Sequence, residues 1–119
     1  MNANQKGWLK WVGSQSCMVT GDSQIQVHHI WGRKTRANKM NIGHWAIIPL
    51  AIRLHDVNSN SPFNITHHRK RFEIEFGTTE KQMFCDLRTL ALEHNKCGIL
   101  EARYIPPPEV AIEIAKYRR

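Results

Sequence analysis

The sequence predicts an α+β fold: a β-hairpin and a short helix, with further helices towards the C-terminus. Three observations predict it. Two short apolar runs, Ile25 to Trp31 and His44 to Leu50, hold residues that favour strands. A short segment, Ala51 to Asp56, reads as a helix directly after the second run. Beyond Ile65 the apolar residues recur at helical spacing, with Gly77 and Gly98 as stops. The 119 residues suffice for one domain with a modest core, and no repeat or linker divides them. The chain reads as a single domain over 1–119, with its core at about 17–77 and a helical extension at about 79–119.

The elements follow in order. Gln5 to Val12 places Trp8, Leu9, Trp11 and Val12 between lysines, as a short amphipathic helix or a strand across the core. Ser14 to Ser23 is turn-rich. Within it Cys17-Met18-Val19-Thr20-Gly21 has the form of half a zinc knuckle, with Thr20 where a second cysteine belongs. One thiolate is not a zinc site, so this reads as a β-turn whose Gly21 takes a positive φ. Gly32 to Gly43 is a loop at the tip of the hairpin and carries Arg33, Lys34, Arg36 and Lys39. His44 to Leu50 reads as the second strand, with Pro49 at its end. Val57 to Pro62 is a polar break.

Ile65 to Phe76 reads as a helix with His67 and His68 in its first turn and Phe72 and Phe76 on its buried face. Thr79 and Gln82 form a capping box that opens the longest helix, Glu80 to Lys96. Met83, Phe84, Leu87, Leu90 and Ala91 are its core stripe. Pro108 opens a last helix, Glu109 to Arg118, with Val110, Ile112 and Ile114 as its apolar surface. Tyr117-Arg118-Arg119 is a basic end.

Seventeen Lys and Arg against ten Asp and Glu give a formal charge of +7, the footprint of a protein that meets nucleic acid. The four cations of the 32–43 loop point to phosphate contact. Cys17, Cys85 and Cys97 are odd in number and widely spaced, which suits a reducing cytoplasm and no disulfide framework. Met1 to Lys6 is polar, with no signal-peptide pattern, and no run approaches the roughly 20 apolar residues of a membrane helix. No membrane partner is expected.

The histidines carry the chemistry. His28 and His29 are adjacent at the end of the first strand, His55 follows on the short helix, and His67 or His68 comes next. A neutral imidazole ligates a borderline divalent metal or accepts a proton near neutral pH. Two strands and a helix with histidines in this order match the parts of a ββα-metal nuclease site. Such a site needs one metal to stabilise charge on the phosphate and one base for the attacking water.

His28-His29-Ile30, the basic Gly-containing loop, Gly43-His44-Trp45-Ala46-Ile47-Ile48-Pro49-Leu50 and His55 resemble the HNH endonucleases. The closer resemblance is to the phage recombination-enhancement (Ref-like) group of RecA-dependent nucleases. Those proteins continue with an aromatic-acidic-Tyr/Phe-Gly element, here Phe72-Glu73-Ile74-Glu75-Phe76-Gly77. The resemblance covers about Cys17 to Phe84 and is specific as an ordered set.

It implies a small ββα-metal core and a DNA endonuclease that uses one divalent metal ion, Mg²⁺, Mn²⁺ or Zn²⁺. It also implies a RecA-type recombinase filament as partner and the cytoplasm of a bacterial host of the phage as location. Carried over, His28, His55 and His67 are the metal ligands, His67 being taken before His68, and His29 is the general base. The family's central Asn falls on Ala46; His44, two residues earlier on the same strand face, takes over the orienting of the base. Thr20 and Ala51 stand where the family's structural cysteines belong, so the structural zinc is expected to be lost. Two rival readings accompany this one: an inactive DNA-binding module of the same shape, and a zinc-stabilised interaction domain.

Overall fold

The computed structural model describes residues 1–117, so Arg118 and Arg119 of the expected basic end lie outside the described residues. The fold is α+β, with five α-helices, one short 3₁₀ turn and two small antiparallel sheets among the described residues. Helix α1 spans Ala3–Gly13, which settles the first segment as a helix. Its start is a full capping box: Asn2 accepts from the Gln5 backbone while Gln5 reaches back to the Asn2 N–H. Trp8, Trp11 and Val12 are buried.

Strand β1, Ile25–His29, pairs antiparallel with β4, Ile47–Ala51. Every residue of β4 is buried, and every residue of β1 is half-buried. β1 therefore presents its side chains at an edge, where chemistry can reach them. Pro49 sits in the middle of β4 opposite Val27, not at its end; in a two-stranded ladder its missing N–H is tolerated.

The expected second strand starts late. His44, Trp45 and Ala46 form a turn in which Ile42 O accepts from Trp45 N and Ala46 N at 3.1 and 2.9 Å. Asn41 Oδ1 takes the His44 N–H at 3.0 Å, and Trp8 Nε1 donates to Trp45 O at 2.9 Å. These bonds hold the groups a ladder would need, so the local turn wins over strand propensity.

The basic segment is not a bare loop. It carries a minimal hairpin, β2 (Arg36–Ala37) and β3 (Met40–Asn41), turned at Asn38 and Lys39 with φ of 50° and 63°. Its base is pinched shut: a Cβ on Gly43 would come within 2.1 Å of Gly32 O. Only glycine permits that approach.

Helix α2 is Ile52–His55. Helix α3 is Arg69–Phe76, starting four residues later than the sequence suggests. The cause is Asn64, fully buried, whose Oδ1 accepts from Thr66 N at 2.8 Å and His67 N at 3.3 Å. That side-chain turn competes with the helix and leaves His67 and His68 before it. Gly77 closes α3 in the left-handed region at φ 63°.

Helix α4 is Glu80–Lys96, as the capping and stop residues predict. Thr79 accepts from Gln82 N, but the Gln82 side chain turns to Asp86 at 2.9 Å and does not close the box. Helix α5 is Pro108–Lys116; Val110 and Ile114, four apart, are buried, while Ile112 faces solvent. One buried cluster links α1, β4, α3, α4 and α5 through Trp8, Ile48, Phe72, Phe84 and Ile114. No described helix is long and apolar enough to cross a membrane.

Candidate active site

β1 brings Gln26 and His28 to one face, since alternate residues of a strand share a face. The pairing with β4 then places α2, which follows β4 directly, alongside that face. His55, the last residue of α2, meets His28 there: the ring centroids are 4.9 Å apart at 68°. Both rings line an open cleft of about 970 Å³ with His29, Arg33, His67, Arg69 and Glu80.

Each facing ring has one nitrogen already held. His55 Nδ1 lies 2.7 Å from Gln26 Oε1, and Gln26 Nε2 donates to Asp56 Oδ2 at 3.2 Å. With the Gln26 amide so oriented, its oxygen accepts the Nδ1–H of His55, and the His55 lone pair falls on Nε2. His28 Nε2 lies 2.6 Å from Glu80 Oε2. The pattern of an imidazole with one nitrogen hydrogen-bonded and the other left over is that of a metal-binding histidine. Burial lowers the His55 pKa, the neighbouring His28 lowers it further, and Asp56 opposes both.

His29 is pushed down to about 4. Burial is the largest cause, followed by the Arg33 guanidinium and then by His44, His28 and His55. At neutral pH it is an uncharged proton acceptor.

The remaining expected residues are placed less centrally. His67 is exposed on the cleft wall, and its Nε2 bonds Val57 O at 2.9 Å. His68 does not line the cleft. Among the described residues no three His, Cys, Asp or Glu side chains are arranged to hold a metal ion. The chemistry of the His28 and His55 pair still fits a borderline divalent cation that takes its other ligands from water or phosphate.

His44 does not orient His29. It lies on the turn before β4, so the shared strand face on which that role depended is absent. Its Nδ1 is buried with no hydrogen-bond partner. The charge of a protonated His44 lowers the His29 pKa. Burial, then the N-terminal ammonium, then Arg33 lower its own pKa. Ala46 is fully buried and carries no polar group.

Of the four expected phosphate contacts, Arg33 lines the cleft. Arg36 folds back to Lys39 O at 2.6 Å, and Lys34 and Lys39 are exposed and do not line the cleft. Cys17 is buried and Cys85 and Cys97 are exposed and unbridged; Gly21 takes φ 76° in the turn.

Among the cleft residues that were not expected are Gln26, Asp56, Arg69 and Glu80. Gln26 is two before His28, a strand-face relation visible in the sequence, and Asp56 follows His55 directly. Glu80 gave no signal, because an acid in the first turn of a helix is already explained by the helix dipole. No family model, curated protein or solved structure matches the chain.

Proposed function

We propose that the protein is a metal-dependent DNA endonuclease of the HNH type, built on a small ββα-metal core. The observation that carries the reading is the pair of facing imidazoles, His28 and His55, with the uncharged His29 beside them in one cleft. His28 and His55 would hold the ion, with His67 able to join from the cleft wall. When bound, a divalent ion stabilises the negative charge that develops on the phosphate. His29 takes the proton of the attacking water. Arg33 and Arg69 at the cleft wall hold the phosphates to either side. The net charge of +7 supports a polyanionic substrate. The resemblance extends the proposal to phage recombination in a bacterial cytoplasm, with a RecA-type filament as partner.

A second reading is a basic DNA-binding module of the same shape that does not cut. It is favoured by one observation: the buried His44 Nδ1 has no hydrogen-bond partner among the described residues, and Ala46 has no polar side chain, so neither orients the His29 ring. Nicking of supercoiled plasmid with Mg²⁺ or Mn²⁺, abolished by EDTA with the melting curve unchanged, supports the endonuclease. Binding without nicking in any metal supports the module. Loss of the fold on chelation supports a structural metal instead.

A further inference from the structure

We infer that Glu80 is a positioning residue for His28. It fixes the imidazole with Nε2–H turned to the carboxylate and Nδ1 left for the cation. The last clause rests on the metal-dependent reading; the positioning itself does not.

The geometry is close and sheltered. His28 Nε2 and Glu80 Oε2 are 2.6 Å apart, with side-chain exposures of 13% and 8%. An ionised carboxylate only accepts hydrogen bonds, so the proton of this contact lies on Nε2. In a neutral ring the lone pair then falls on Nδ1. His55 is held the other way round, through Nδ1 to Gln26. The two facing rings therefore offer opposite nitrogens, Nδ1 of His28 and Nε2 of His55.

The carboxylate is itself held still. Glu80 is the first residue of α4, capped by Thr79, and Met83, Phe84 and Leu87 root that helix in the core. The N-terminal end of the helix favours the negative charge. Helix α4 is thus more than an extension of the hairpin and short helix: its first residue sets the ring of a histidine 52 positions earlier. A carboxylate behind an imidazole fixes the tautomer and strengthens the other nitrogen as a ligand, and its loss typically costs about 10–100-fold in metal affinity.

The test is a ¹⁵N long-range correlation spectrum of the metal-free full chain in mildly alkaline solution, with His28 assigned by its loss in H28Q. Wild type is expected to show His28 as the Nε2–H tautomer. E80A should lose that preference, and E80Q, whose amide oxygen still accepts, should keep it. Titration with Mn²⁺ should then show E80A weakened by about 10–100-fold and E80Q by less. An Nδ1–H tautomer or a doubly protonated ring in wild type overturns the inference, and that measurement needs no Glu80 variant to fold. An unchanged tautomer in folded E80A overturns it as well. A tautomer that follows Glu80 in a protein that never nicks plasmid supports the positioning and sinks the endonuclease reading alone.

Discussion

His28 and His55 face each other at 4.9 Å, one from the end of an edge strand and the other from the helix after its partner strand. The strand pairing creates this contact, and the proposed chemistry depends on it. His55→Ala should therefore abolish metal binding and plasmid nicking together. Calorimetric titration with Mn²⁺ beside a nicking assay checks it. Full nicking by a variant that no longer binds Mn²⁺ would remove His55 from the ligand set.

His29→Ala should remove cleavage while leaving fold, metal and DNA binding intact. The loss of a general base typically costs about 10² to 10⁴-fold in rate. Because the base acts on the attacking water, the loss belongs in the rate constant and not in substrate affinity. Single-turnover cleavage beside a DNA-binding isotherm separates the two.

The His29 pKa of about 4 has Arg33 as its second cause, after burial. Arg33→Ala should raise it, while burial keeps it below 6.5. An NMR titration of the His29 ring reads this directly. A value that does not move would show that Arg33 is too well screened to act.

The same shift has a consequence for stability. The folded value of about 4 lies below the ordinary 6.5, so between them the unfolded chain binds a proton that the folded chain refuses. The contribution of His29 to stability should fall as pH drops through that window and level off below it. His44 and His55, also lowered, act in the same direction. Urea midpoints measured across the window should show the slope, and His29→Ala should flatten part of it.

DNA binding should be strongly salt-dependent and nearly indifferent to sequence, given the net charge of +7 and Arg33 and Arg69 on the cleft. Affinity should fall by orders of magnitude between about 50 and 200 mM salt. Arg69→Ala should lower the affinity and flatten the salt slope. A flat salt profile in the wild type would argue against phosphate contacts.

Gly43→Ala should destabilise the fold, because the new Cβ would meet Gly32 O at 2.1 Å and the Arg33 backbone. Forcing backbone apart in this way costs about 1–3 kcal/mol or more. A shift in the urea midpoint at constant slope is the expected signature.

By itself the sequence determined the elements whose signals are local. Helix α4 matches the expected Glu80 to Lys96 because Thr79 starts it and Gly98 lies beyond its end, both within a turn of the residues they govern. Gly77 likewise ends α3, and the strand-forming run at Ile25 gives β1. The order of two strands and a helix set His55 after a His-His pair, and the family resemblance singled out His28; the strand register is what brings the His28 ring against His55. Local hydrogen bonds moved two boundaries that propensity alone misplaces: the Asn41 side chain and the Ile42 carbonyl hold the turn that delays β4, and the buried Asn64 side chain delays α3. Only the tertiary structure decided which groups back the histidines. Glu80 reaches His28 across 52 residues, and Gln26 reaches His55 across 29. Such contacts depend on how α4 and α2 pack against the sheet, and packing is set by the whole core at once, not by any spacing along the chain.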